Sequence, residues 1–103
     1  MDLTNLSGLG PFTKTTEQLD EYSSRDIFYP ENCRKPFLII NKNTIELRTD
    51  QKLGQLLTKK YESVMQSRYF GRAGLEIVRS ASQLKKDELE DLVRLSYNLT
   101  TSL

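Results

Sequence analysis

Residues 64–78, VMQSRYFGRAGLEIV, join a helix-like pattern to a strand-like one and decide the fold. Gly71 and Gly74 flank two residues in the middle of this stretch, and glycine adopts turn conformations without steric cost. The spacing predicts a tight antiparallel hairpin between about residues 66–70 and 74–79. Because the same stretch concentrates arginines and aromatic residues, it is either a binding loop or only a structural turn.

An amphipathic helix is predicted on each side of this hairpin. Asp50 is a favourable N-cap, and apolar residues follow it at helical spacing, at positions 53, 56, 57 and 61. A last helix covers about residues 85–100, where Leu84 can staple onto the first turn and acidic residues suit the positive end of the helix dipole. Core packing, rather than cofactor binding, is the expected role of these leucines.

The chain before Asp50 predicts three strands and a short helix. The runs 36–40 and 44–48 are rich in strand-forming residues and are joined by Asn-Lys-Asn, which tolerates a tight turn. A shorter strand at 26–30 ends at a proline, which has no amide hydrogen to continue a ladder. Threonines can cap a short helix at about 13–23. Residues 1–12 are predicted to form a loose arm.

These elements predict one α+β domain over residues 13–103. Their order gives a two-layer α-β(3)-α-β(2)-α architecture, in which helices pack an antiparallel sheet. In the strand at 44–48, Ile45 should face the core while Glu46 faces solvent. Residues 37–40 are apolar on both faces, so either the N-terminal arm or a second copy of the chain must cover them.

The composition argues against an enzyme and against a metal site. The chain contains no histidine, which is the commonest general base and the commonest metal ligand. Its single cysteine, Cys33, has no histidine to activate it and cannot form an internal disulfide. We therefore expect no catalytic residue, no metal and no cofactor. The N-terminus lacks a signal-peptide pattern and no apolar run is long enough for a membrane span, so we expect a cytoplasmic protein.

Charge is unevenly distributed along the chain. Acidic residues outnumber basic ones in residues 1–31, whereas basic residues outnumber acidic ones in residues 32–79. A basic region is typical of nucleic-acid binding, although it also occurs on an ordinary solvated surface. In a binding module the cations would meet phosphates and Tyr69 would offer a stacking surface. The candidate nucleic-acid-binding residues are Arg34, Lys35, Lys42, Arg68, Tyr69, Arg72 and Arg79.

The alternative hypothesis is a protein-interaction or self-associating domain that binds no nucleic acid. It rests on the doubly apolar strand at residues 37–40, whose face would join two copies in a homodimer. Two-layer α+β domains of this order also resemble secretion-chaperone folds, and that analogy favours a peptide or protein partner.

Several short motifs between residues 47 and 97 keep the relative spacing of a known family. They are LRTD at 47–50, LGQLL at 53–57, Val64, Ser67-Arg68, Arg72, Val78, Leu84 and LVRLSY at 92–97. Through these motifs the chain resembles the small bacterial MmcQ/YjbR-like proteins, which are related in fold to the N-terminal domain of TfoX. The resemblance implies three helices and five strands in the order given above, and a DNA-binding function. The chain departs from the family at Gly71, Gly74 and Leu75, where relatives commonly carry asparagine, histidine and tryptophan.

Overall fold

The structure, a computed structural model, describes residues 9–81 and 83–103. Six antiparallel strands form one sheet in the order β1-β2-β3-β4-β6-β5, and two helices pack on it. The chain is therefore α+β with an antiparallel sheet, as predicted at that level. The strands are β1 (Phe12–Gln18), β2 (Ser24–Pro30), β3 (Leu38–Ile40), β4 (Thr44–Arg48), β5 (Val64–Ser67) and β6 (Gly71–Val78), and the helices are α1 (Gln51–Lys60) and α2 (Lys86–Thr101).

The helix predicted at residues 13–23 is wrong, because most of that segment is strand β1. Residues 12–18, FTKTTEQ, are rich in threonine, whose branched side chain favours extended backbone. Each of the seven pairs with a residue of β2, from Phe12 opposite Pro30 to Gln18 opposite Ser24. These cross-strand pairs outweigh the weak helical spacing, and the observed order is β(4)-α-β(2)-α.

The predicted arm at residues 1–12 is described only from Leu9 onward; residues 1–8 lie outside the described residues. Leu9 packs against the hydrophobic core. The Pro11 carbonyl accepts hydrogen bonds from the Tyr97 hydroxyl at 2.8 Å and from the Glu31 amide at 2.9 Å. Residues 9–11 are therefore attached to the domain, and Phe12 already belongs to β1.

The β3–β4 hairpin and both main helices are confirmed. In the hairpin turn, Asn41 Oδ1 accepts hydrogen bonds from the amides of Asn43 and Thr44 at 2.8 and 2.7 Å. The Asp50 side chain caps α1 by accepting from the Leu53 amide at 2.9 Å. Helix α2 begins and ends within one residue of its predicted bounds.

The β5–β6 hairpin is also present, but its turn lies earlier than predicted. Residues 68–70 form the turn, whereas Arg72 and its neighbours belong to β6. Ser67 Oγ accepts hydrogen bonds from the amides of Tyr69 and Phe70, at 3.1 and 2.9 Å, and so organises the turn. Gly71 then has a φ of 63°, a left-handed conformation that glycine adopts without strain.

The core lies between the two helices and one face of the sheet, here called the helix face. Ile45 and Leu47 of β4 cluster there with Leu89 and Val93 of α2, and all four are almost fully buried. Burying one such side chain contributes about 1.5–3 kcal/mol. The opposite side of the sheet, the open face, faces away from the helices, and the candidate site lies at its edge.

The open face is not the wet surface that the strand pattern predicted. Glu46 is only 5% exposed, because the β5–β6 turn contacts it. Ile27 and Ile39 are its neighbours on the next strands of this face, and both are buried within the single chain. Phe37 and Leu38 are buried too. Ile40 is half-buried, and a homodimer through the strand at residues 37–40 stays a prediction.

Candidate anion-binding groove

Two buried carboxylates stand opposite each other on the open face. Glu46 of β4 pairs in register with Glu76 of β6, and they are 5% and 3% exposed. Like charges directly opposite each other destabilise a sheet, so each carboxylate needs its own compensation. Glu46 Oε1 accepts hydrogen bonds from Ser67 Oγ at 2.8 Å and from the Tyr69 amide at 3.1 Å. Glu76 is compensated by an arginine.

Arg68 is the counter-ion of Glu76 and faces solvent at the same time. Its Nε and Nη2 each donate to one carboxylate oxygen of Glu76 at 3.0 Å, yet the Arg68 side chain is 80% exposed. The hydrogen bonds that Arg68 donates to Glu76, and then the charge of Glu76, raise the pKa of Arg68 above its usual value. Arg68 is thus a fixed cation, and among the described residues its Nη1 has no hydrogen-bond acceptor.

Arg79 and Lys42 supply two further positive charges at the same end of the sheet. Arg79 is half-buried, and its Nη1 donates to the Asn41 carbonyl at 2.7 Å. Lys42 is exposed at the tip of the β3–β4 turn and takes part in no ion pair within the described part of the chain. Arg68 and Arg79 are therefore held in place, whereas Lys42 is free to reorient.

These three cations line one concavity of about 520 Å³, here called the basic groove. It lies between the β1–β2 turn and the β3–β4 turn. The β1–β2 turn is held by Asp20, which accepts from the Tyr22 and Ser23 amides at 2.8 and 2.9 Å. Hydrogen bonds from the Tyr22 amide, then from the Ser23 hydroxyl, and also from the Ser23 amide lower the pKa of Asp20. The residues of the groove that carry chemistry are Tyr22, Asp26, Lys42, Thr44, Arg68 and Arg79.

Two tyrosines and one carboxylate add to the chemistry of the basic groove. Tyr22 is 92% exposed on its wall. Tyr69 is about half exposed and borders an adjoining hollow that Arg68 also lines, with Arg25 Cζ 5.7 Å from its ring centroid. Asp26 also lines the groove, from the row of the sheet that contains Ile40 and Ile45 on the helix face, and its Oδ1 accepts from the Thr16 hydroxyl at 2.8 Å. The groove and its adjoining hollow therefore offer cations that can bind phosphates, exposed rings that can stack on aromatic groups, and a carboxylate that can accept hydrogen bonds.

The seven candidate residues do not form one patch. Lys42, Arg68 and Arg79 converge on the basic groove, and Tyr69 stands beside it. Arg34 and Lys35 lie in a separate hollow near the end of α2, together with Thr100 and Leu103.

Arg72 is separate as well. It lines a cleft of about 330 Å³ between α1 and the β5–β6 hairpin, where its polar neighbours are mostly glutamines. Arg34, Lys35 and Arg72 therefore lie apart from the basic groove, and a role for them in nucleic-acid binding stays a prediction.

Sequence analysis missed Tyr22 and Asp26 as site residues. Both belong to a segment for which a helix and an isolated strand were expected, so no hairpin was predicted there. The signal was present in DEYSS at residues 20–24, because aspartate and serine side chains hydrogen-bond to nearby amides in turns. A hairpin at this position brings Tyr22 to the end of the sheet.

Within the described residues, no group of three or more histidine, cysteine, aspartate or glutamate side chains is placed to hold a metal ion. The helices of the described ranges include none that is long and apolar enough to cross a membrane. Searches of protein-family models, curated proteins and solved structures give no match to this chain.

Proposed function

We propose that the chain is a small bacterial, cytoplasmic protein of the YjbR-like type, and that it binds nucleic acid through the basic groove. The observation that carries the proposal is the convergence of Lys42, Arg68 and Arg79 on one open concavity. Phosphate contacts from arginine and lysine supply most of the affinity in nucleic-acid binding. The YjbR-like part is supported by the order from β2 to α2, which is β(3)-α-β(2)-α.

The preorganisation of the arginines supports an anion-binding role. Arg68 is held by Glu76, and Arg79 is held by the Asn41 carbonyl. A cation that is already fixed loses little side-chain entropy when it meets a phosphate, so more of the contact energy appears as affinity. The absence of histidine from the sequence favours binding over catalysis.

A salt titration with matched lysine variants tests the proposal. The probe is a labelled DNA duplex of mixed sequence with a single-stranded overhang, so that both forms are offered, and fluorescence anisotropy reports binding. With three cations engaged, log K should fall against log salt with a slope of about −2 to −3. Lys42→Gln should reduce the magnitude of that slope by about 0.7–0.9, the contribution of one phosphate contact.

Lys35→Gln is the control, because it removes the same charge from an exposed lysine in a separate hollow. It should leave the slope unchanged. The proposal fails if the probe does not bind at low salt, or if Lys35→Gln weakens binding as much as Lys42→Gln.

A further inference from the structure

The size and shape of the basic groove favour a flexible ligand over a duplex. Its volume of about 520 Å³ is within the range of about 300–1,000 Å³ that small-molecule sites occupy. The three cations line a concavity, whereas reading a duplex requires a helix or ribbon that protrudes into its major groove. A single strand can bend into such a concavity, where Lys42, Arg68 and Arg79 are available to its phosphates.

Tyr22 offers an exposed aromatic ring on which an unpaired base can stack. Its side chain is 92% exposed and lies on the wall of the same groove as the three cations. An exposed aromatic ring beside cations is the usual combination in single-strand binding, because unpaired bases stack on aromatic side chains while the backbone follows the positive charge. Bases inside a duplex are stacked on each other and cannot use this ring.

Asp26 adds a negative charge to the lining of the groove that also holds the three cations, and it disfavours a ligand that carries only phosphates. Asp26 is one of the residues that line the groove, and its Oδ1 accepts a hydrogen bond from the Thr16 hydroxyl. A carboxylate accepts hydrogen bonds from the exocyclic amine of cytosine, which an unpaired base presents freely. Thymine has no such amine, so this residue should distinguish the two bases.

We infer that the basic groove takes a single-stranded nucleic acid, with phosphates on the three cations, one base against Tyr22 and a base amine on Asp26. This inference rests on the proposed function and names the form of nucleic acid that the site selects.

Fluorescence anisotropy at one salt concentration tests it, with a labelled single strand of about 12 nucleotides and the matching duplex. The single strand should bind at least about tenfold more tightly than the duplex. Tyr22→Ala should weaken single-strand binding by about tenfold, the loss expected for one stacked base. Tyr22→Phe is the matched control, because it keeps the ring and should keep the affinity. Far-UV circular dichroism of both variants checks that they remain folded.

Homopolymers test the role of Asp26. The natural chain should bind oligo-dC more tightly than oligo-dT, and Asp26→Asn should reduce that difference, because an amide oxygen accepts from the amine without the negative charge. Asn can still accept from Thr16, so the hairpin should remain intact.

The outcomes separate this inference from the proposed function. If the duplex binds as tightly as the single strand, or if Tyr22→Ala leaves single-strand affinity unchanged, the inference is overturned while nucleic-acid binding stands. Equal affinity for oligo-dC and oligo-dT in the natural chain overturns the role of Asp26. If neither probe binds, the proposed function itself fails.

Discussion

Replacing Ser67 by alanine should destabilise the protein more than its small size suggests. Its hydroxyl donates to Glu46 Oε1 at 2.8 Å and accepts from the amides of Tyr69 and Phe70, while the residue is only 2% exposed. One oxygen atom therefore both solvates a buried carboxylate and organises the turn that carries Arg68. Removing it disturbs both functions at once.

The expected magnitude follows from these contacts. A hydrogen bond to a charged group contributes about 1.5–3 kcal/mol to stability, and an ordinary one contributes about 1 kcal/mol. In the Ser67→Ala variant the Tyr69 amide can still donate to Glu46, but the Phe70 amide loses the only partner it has among the described residues. We therefore expect the free energy of unfolding to fall by about 2–4 kcal/mol.

Urea denaturation followed by circular dichroism measures this loss. With a slope of about 2 kcal/mol per molar urea for a domain of this size, the midpoint should fall by about 1–2 M. Ser80→Ala is the matched control, because Ser80 is an exposed serine beyond the end of β6. A surface substitution of this kind should change the free energy of unfolding by no more than about 0.5 kcal/mol.

Repeating the Ser67→Ala substitution in a Glu46→Gln variant tests whether the loss of stability comes from the hydrogen bond between Ser67 and the Glu46 carboxylate. In a Glu46→Gln chain the hydrogen bond from Ser67 is no longer charge-assisted, so adding Ser67→Ala should cost about half as much. The reasoning is refuted if Ser67→Ala costs no more than Ser80→Ala. It is also refuted if the cost is the same in both backgrounds.

Three further outcomes are expected. Gly74→Ala should lower the free energy of unfolding by about 3 kcal/mol, since a Cβ there would lie 2.5 Å from a backbone oxygen of β4. Gly71→Ala should lower it by only about 1 kcal/mol, through backbone strain alone, because its Cβ would meet nothing within 4 Å. Thermal melts in which the two variants lose equal stability would contradict this. Asp50→Ala should remove the α1 cap and lower stability by about 1 kcal/mol in urea titrations, and an unchanged midpoint would count against the cap. In an NMR titration the Asp20 carboxyl should show a pKa below its ordinary value of 3.8, and Ser23→Ala should raise that pKa. Because the pKa is lower in the folded than in the unfolded chain, the Asp20 carboxylate should stabilise the turn above pH 3.8. This stabilisation should be lost as the pH falls through the folded pKa.

The sequence predicted correctly the two main helices and the β3–β4 turn, whose positions depend on contacts between residues close in the chain. Asp50 caps α1 through a neighbour three residues away, so the sequence pattern located that helix correctly. Glycine spacing predicted the β5–β6 hairpin but placed its turn too late, because the hydrogen bonds of Ser67 decide the turn. Strand β1 was missed, since its conformation depends on pairing with β2 and its own residues carry only a weak pattern.

The candidate site was predictable only in its residue types. Lys42, Arg68 and Arg79 come from three separate segments, and they meet because β4 lies between β3 and β6 in the sheet. That order depends on long-range pairing, which the spacing of residues does not encode. Arg34 was included in case the β3–β4 hairpin lay alongside the patch, and Arg72 because it is basic and close to Arg68, whereas in the structure each lines a different hollow.

The position of β1 at the edge of the sheet sets the order in which the protein opens. This strand pairs only with β2, and all seven of its residues are exposed, so its amides should exchange with deuterated solvent long before those of β6, which is paired on both sides by β4 and β5. The same hairpin carries Tyr22 at its turn, so each local opening removes one wall of the basic groove. A ligand that needs this wall binds only the closed form. Its binding should therefore slow exchange in β1, and it should slow exchange through global unfolding by the same factor, because the unfolded chain also lacks the groove.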